Sequence, residues 1–268
     1  MEANLKRRLS TALVIIPLLV IIVGWGSPWF FTAFILLVTA VALFEFFTMA
    51  LPGYVMGQIL GVVFGVAVSL VVVVPQVRHQ ELWLSILLVL CFSGFLFCSG
   101  KLNDKFTRVA STLLGGFYLG LLMPNWIFLF RFANGRNWVF FVLAVIMAGD
   151  ATAYFAGRRF GVRKLAPEIS PAKTRAGAWG YMLGSVVVGI LAASWLVADY
   201  PMVEVVALTL ILAVSGQVGD LFESLLKRVF GVKDSSSLIP GHGGVLDRLD
   251  SLIFPAVFAN AYLRVFHP

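Results

Sequence analysis

The sequence predicts an all-α, polytopic integral membrane bundle of about nine transmembrane helices. Three observations lead there. Hydrophobic residues make up 60% of the 268 and charged residues only 12%, far from the balance of a soluble domain. The apolar runs are continuous and about as long as a bilayer crossing, which favours helices and excludes the alternating pattern of a β-barrel. Finally, the basic residues alternate sides: with nine spans and the N-terminus inside, sixteen of the twenty Lys and Arg lie on one side and four on the other. The net charge of +7 is therefore read as cytoplasmic loop charge and not as a nucleic-acid surface.

The first span covers residues 11–25, after Lys6, Arg7 and Arg8. It resembles a signal peptide but is read as a retained helix. The next three cover 31–50, 55–74 (stopped by Pro75) and 82–98, and a polar loop spans 99–108. The fifth and sixth cover 109–130 and 138–154, and a basic loop runs over 158–177. The seventh and eighth cover 178–197 and 203–222. The ninth, 252–266, is short and can take in residues 245–251. Cys91 and Cys98, seven apart in one apolar run, read as small buried residues and not as a disulfide or metal site. One membrane domain results, with helices 1–136 as scaffold and 137–268 carrying the chemistry.

The polarity is concentrated in residues 220–250, DLFESLLKRVFGVKDSSSLIPGHGGVLDRLD. This stretch holds five of the thirteen acidic residues and four of the twenty basic ones. Asp220, Glu223, Ser224, Lys227 and Arg228 share one helical face, with Leu221, Phe222, Leu225 and Leu226 opposite. Asp247, Asp250 and Ser251 repeat the spacing on a second short helix starting near Val245. A glycine-rich loop containing His242 lies between. Carboxylates suit hard divalent cations that also bind phosphates, and Lys and Arg neutralise phosphate oxygens. The spacing fits metal-assisted phosphoanhydride chemistry and, equally, a solvated helix with ordinary ion pairs.

Outside this stretch, Asp150 sits in AGDATAYFAG, where an ionisable group is expensive and faces a cavity or a partner. The segment ISPAKTRAG offers Ser170, Lys173 and Thr174 to a phosphate. Glu45, alone in FEFF, is expected to pair with a loop cation in a structural role. In the predicted topology Asp150, the 158–177 loop, Asp220, Asp247 and Asp250 all meet at the cytoplasmic face.

The run from Ser224 to Asp250 resembles, without a gap, the C-terminal motif of the phosphatidate cytidylyltransferases (CDP-diacylglycerol synthases). GDLFES and GDATAYFAGRRFG…SPAKT are similar to the same family. The resemblance covers about residues 138–250. It departs where the family loop commonly has a Lys and a Glu and this chain has Ala172 and Ala176. It implies that CTP and phosphatidic acid give CDP-diacylglycerol and pyrophosphate with Mg²⁺, one ion or two, at the bacterial inner membrane, in a homodimer. On this reading Asp220, Asp247 and Asp250 hold metal, and Lys227, Arg228, Lys233, Arg248 and Lys173 hold phosphates. Ser224, Thr174 and His242 donate hydrogen bonds, while Asp150 and Asp234 orient cations or bind metal or cytidine. The rival readings are a CTP-dependent kinase of a polyprenol or other lipid alcohol, and a secondary transporter. The transporter would prefer charges at the bilayer midplane, which this chain lacks.

Overall fold

The computed structural model describes residues 2–98, 100–239, 241 and 243–267; the side chains of residues 2–12 and of Ile15 are outside the description. His242, assigned a hydrogen-bonding role from sequence, therefore lies outside the described residues. The chain is built almost wholly of helices. Six of them are long and apolar enough to cross a membrane: 28–50, 55–73, 102–131 (counting its interrupted course as one), 135–160, 175–196 and 202–229. Three shorter apolar helices, Ile16–Trp25, Gln80–Leu96 and Ile253–Phe266, stand where the sequence places further spans.

Helix α1 (Glu2–Trp25) ends at Gly26. Helix α2 (Pro28–Ala50) starts on Ser27, whose Oγ accepts the Phe30 N–H at 3.2 Å, with Pro28 in the first turn where no N–H is needed. Helices α3 (Val55–Val73) and α4 (Gln80–Leu96) follow. The fifth predicted span is not one helix. It divides into α5 (Leu102–Gly115), a π-helical turn (Gly116–Leu121) and α6 (Asn125–Arg131), which follows Pro124. The π turn lies hard against α3. The Gly120 carbonyl accepts from Ser69 Oγ at 2.6 Å, and a Cβ on Gly120 would come within 2.4 Å of the Gly65 carbonyl.

Helix α7 (Gly135–Phe160) leads into a correction of the all-helical expectation. The basic loop contains a two-stranded antiparallel hairpin, β1 (Lys164–Ala166) with β2 (Ser170–Thr174), paired Lys164 to Thr174 and Ala166 to Ser170. Pro167 sits in the turn, where its missing N–H and fixed φ are tolerated. Helix α8 (Arg175–Leu196) begins directly from β2, capped by Thr174 Oγ1, which accepts the Gly177 N–H at 3.1 Å. Helix α9 (Met202–Val229) carries the eighth predicted span and runs on without a break through the charged helical face expected for residues 220–228. The last predicted span is split into one turn, α10 (Leu246–Leu249), and α11 (Ile253–Phe266).

The core is aromatic and central. Phe46, Phe47, Trp138 and Phe141 are completely buried, and the Tyr118 and Phe222 rings meet edge to face at 5.0 Å. Large apolar side chains such as Trp179, Leu191 and Trp195 point outward, as a lipid-facing surface requires. Cys91 and Cys98 are both free thiols.

Candidate active site

A cavity of about 380 Å³ lies where α7, the hairpin, α8 and α9 meet. Helices α7 and α8 approach closely because small residues face each other: a Cβ on Gly184 would come within 2.1 Å of the Thr152 hydroxyl. Asp150, Tyr154 and Arg158 line the cavity from α7; Lys173 and Thr174 line it from β2, Tyr181 from α8, and Gln217 and Asp220 from α9. Four residues singled out in the sequence, Asp150, Lys173, Thr174 and Asp220, thus reach one space from three separate segments. The hairpin missed by the sequence reading is what carries Lys173 and Thr174 there.

The charges form a connected set. Lys173 Nζ lies 2.7 Å from Asp220 Oδ1, and Ser224 Oγ approaches the same oxygen at 3.5 Å. One turn further along α9, Lys227 Nζ sits between two carboxylates, 2.6 Å from Glu223 and 2.7 Å from Asp247. Glu223 is fully buried, so the polar face of α9 points into the protein. Of the residues assigned to the apolar face opposite, Leu225 is exposed, whereas Leu226 is buried in the core and Phe222 packs against it. Arg228 Nε donates to the Ile169 carbonyl at 3.3 Å, and with the Lys173–Asp220 pair it fixes the hairpin against α9. Lys233, Asp234 and Arg248 are exposed and have no ion pair among the described residues.

Asp247 organises the motif loop. Its Oδ1 takes the Lys227 ammonium, and its Oδ2 accepts from Ser235 N at 2.9 Å, Ser235 Oγ at 3.0 Å and Gly244 N at 2.8 Å. Burial pushes the Asp247 carboxyl up, but Lys227 and the Gly244 and Ser235 N–H groups outweigh it and hold the group below the usual carboxylate range. At Asp250 the balance is reversed. Burial first, then the charges of Asp220 and Glu223, hold it well above that range. The Ser251 N–H donates to Asp250 Oδ1 at 2.7 Å, and Ser251 Oγ donates to Asp150 Oδ2 at 3.1 Å.

Glu45 corrects one expectation and confirms another. It has no cation partner among the described residues; the group opposite it is the motif loop. Its Oε1 accepts from Ser236 Oγ at 2.6 Å and Val245 N at 2.9 Å. Its Oε2 accepts from Leu246 N at 2.8 Å and shares the single Ser235 hydroxyl proton with Asp247 Oδ2, each oxygen lying 3.0 Å from Ser235 Oγ. A carboxylate at the start of α10 satisfies N–H groups that a helix cannot satisfy itself. Gly244 is required for this approach, since a Cβ there would lie 2.0 Å from Ser235 Oγ and 2.5 Å from Glu45 Oε2. The role is structural, as the sequence suggested.

Several site residues escaped the sequence reading. Glu223 was visible only as one member of a charged face. Gln217 and Tyr181 gave no signal at all, being ordinary residues of apolar helices. Thr174, expected to grip phosphate, uses its oxygen as the α8 cap. Among the described residues, no three acidic, His or Cys side chains form a ready metal cluster. The donors nevertheless suit a hard cation, which usually takes one or two carboxylates and completes its shell with phosphates and water. Asp220 opens on the cavity, and ammonium groups already sit at 2.7 Å from Asp220 and Asp247.

The sequence profile of the Cytidylyltransferase family matches residues 6–266. The chain is 34% identical over 286 residues to the phosphatidate cytidylyltransferase of Bacillus subtilis strain 168, covering 98% of this chain and 99% of that protein. It is 47% identical over 132 residues to the enzyme of the same name from Brucella abortus biovar 1, covering 49% of this chain and 48% of the relative. Chloroplastic phosphatidate cytidylyltransferase 5 of Arabidopsis thaliana is 34% identical over 187 residues, covering 61% of this chain and 47% of the relative.

Proposed function

Because the chain belongs to the Cytidylyltransferase family, we propose that it transfers the cytidylyl group of CTP to phosphatidic acid, making CDP-diacylglycerol and pyrophosphate for phospholipid synthesis. The observation that carries this reading is the cavity in which Asp150 and Asp220 face Lys173 and Arg158, in a chain matched along 98% of its length by a phosphatidate cytidylyltransferase.

The reaction needs little covalent help. An oxygen of the phosphatidate phosphate attacks the α-phosphorus of CTP, the bond from that phosphorus to the β-phosphate bridge breaks, and pyrophosphate leaves with the electron pair. The nucleophile is already an anion, so no strong base is required; the barrier lies in bringing like charges together. Lys173 and Arg158 supply positive charge inside the cavity. Arg228, on α9, and the exposed Lys233 and Arg248 of the motif segment would add further positive charge for the phosphates. Asp220 holds Lys173 at 2.7 Å, and a cation bound by Asp220 would leave that ammonium available to a phosphate. Mg²⁺ would be held by Asp220 with Asp247 or Asp250, and it would supply charge neutralisation and alignment of phosphate oxygens. Lys227 would have to give way for Asp247 to take part. Asp150, tied to Ser251, lines the cavity with Lys173 and Arg158 and would orient those cations.

In this reading the three shorter apolar helices also cross the bilayer. That makes nine spans, puts the N-terminus and the site on the cytoplasmic side, and follows the sixteen-to-four division of basic residues. CTP then arrives from the cytosol and phosphatidate from the leaflet, and two copies pair as a homodimer.

The test is incubation of the purified protein in lipid with labelled CTP, phosphatidic acid and Mg²⁺, followed by lipid extraction. CDP-diacylglycerol and stoichiometric pyrophosphate are expected. A phosphorylated lipid alcohol with CDP would identify the kinase instead, and solute flux without CTP consumption would identify the transporter.

A further inference from the structure

A second gathering of charge lies away from the cavity. Helix α6 ends in Arg131, α11 carries Arg264 in its last turn, and both side chains line one surface pocket of about 520 Å³ with Phe128 and Phe132. Helix α11 starts just after Asp250, so this pocket belongs to its far end: at 1.5 Å per residue, the rise from Ile253 to Arg264 is about 16 Å. Each guanidinium is anchored by one N–H. Arg131 Nη1 donates to the Val73 carbonyl at 3.0 Å, and Arg264 Nε donates to Asn260 Oδ1 at 3.2 Å. Asn260 is fixed in turn by Asn125, 2.8 Å away, and the Arg264 guanidinium lies 4.6 Å from the centre of the Phe128 ring. A guanidinium has five N–H donors, so both keep most of theirs for another partner.

Neither arginine has an ion pair among the described residues. Glu204, in the first turn of α9, is engaged by Tyr262 at 2.7 Å and His267 at 3.0 Å instead. One arginine at a membrane surface is ordinary. Two that share a pocket without a counter-charge repel each other until an anion joins them. The surroundings say which kind of anion. Phe128 and Phe132 offer a soluble ion nothing, and Val265 and Phe266, next to Arg264, are 69% and 66% exposed, as at a lipid-facing helix end. A phospholipid presents a phosphate beside apolar chains and matches both features.

We propose that Arg131 and Arg264 bind the phosphate of an anionic phospholipid at the membrane face opposite the reaction cavity, with its glycerol and chains along Phe128 and Phe132. The lipid then bridges α6 to α11, closing a seam already pinned by Asn125 and Asn260. The site is independent of the reaction assigned above.

The test is photolabelling of the purified protein in micelles, using phosphatidylglycerol with a photoreactive head group and a phosphatidylcholine analogue as control. In wild type, peptides covering 125–132 and 258–267 are expected to take the phosphatidylglycerol label at a several-fold lower concentration than the control. In the double variant Arg131→Gln with Arg264→Gln, the concentration giving half-labelling of those peptides should rise about tenfold or more, as charge-assisted hydrogen bonds are lost, while labelling of the 158–177 loop stays as in wild type. Equal labelling by the two analogues in wild type overturns the proposal, and so does an unchanged half-labelling concentration in the variant. Displacement of the label by inorganic phosphate at matching concentration also overturns it, since the ligand would then be a free anion. If the variant fails to fold, the two analogues on wild type decide alone. No CTP is present, so the result stands whether or not the protein makes CDP-diacylglycerol.

Discussion

Replacing Glu45 by glutamine should damage the protein although the side chain keeps its shape. The two carboxylate oxygens each face one backbone N–H, Val245 at Oε1 and Leu246 at Oε2, and each faces one serine hydroxyl. Hydroxyl groups can rotate and accept from an amide NH₂, but backbone N–H groups cannot. Whichever way the substituted amide turned, its NH₂ would point at one of the two N–H groups and leave that donor buried and unpaired. That loss is about 1–3 kcal/mol, and the remaining bonds lose their charge-assisted strength, roughly another 1 kcal/mol. A total of about 2–4 kcal/mol follows, with no cavity to add because the volume is conserved. Equilibrium unfolding of E45Q in mixed micelles measures the loss. Amide hydrogen exchange shows where it falls: either Val245 or Leu246 should exchange faster, with the Ser235–Gly244 loop loosened beside it. Stability within about 0.5 kcal/mol of wild type, with both amides as protected as before, would refute the reasoning.

Three other outcomes are expected. Asp220→Asn should abolish turnover while the protein still inserts and binds detergent normally; near-normal CDP-diacylglycerol synthesis would remove Asp220 from the mechanism. Lys227→Met strands two buried carboxylates and should cost about 3–5 kcal/mol in unfolding. Adding Glu223→Gln should restore part of that loss, whereas strictly additive losses would break the link between the two. Asp247 is held below its unfolded value, so its contribution to stability is complete above the unfolded carboxyl pKa, near ~3.9, and is lost as pH falls through the folded value. An Asp247→Asn variant should therefore be less stable at neutral pH but show a shallower decline toward acid pH than wild type, and parallel curves would contradict this.

The sequence made the cavity legible to the extent that its residues were expensive in their surroundings. Asp150 in a run of small residues and Asp220 on an apolar helix had to face something, and they face the same space. Glu45 was conspicuous for the same reason, but spacing says nothing about partners two hundred residues away. A cation was expected, and hydroxyls and amides are found, because a helix start presents positive charge without a basic residue. The hairpin was hidden because its strands are too short to show alternation, and only the pairing of Lys164 with Thr174 and of Ala166 with Ser170 defines it. The broken fifth span was hidden because hydropathy cannot see a π turn.

Every residue with a proposed chemical task lies after position 137, which invites dissection of the enzyme into a dispensable front and an active back. The four bonds made by one acid in the second helix argue against that plan. A truncated back half would keep its ligands for phosphate and magnesium yet lose the mould in which residues 235–246 set. The two halves, made as separate chains, should complement one another only by reassociating so that this carboxylate re-enters the loop. A split at the 133–134 turn is therefore a reporter of assembly, silent until the front half docks.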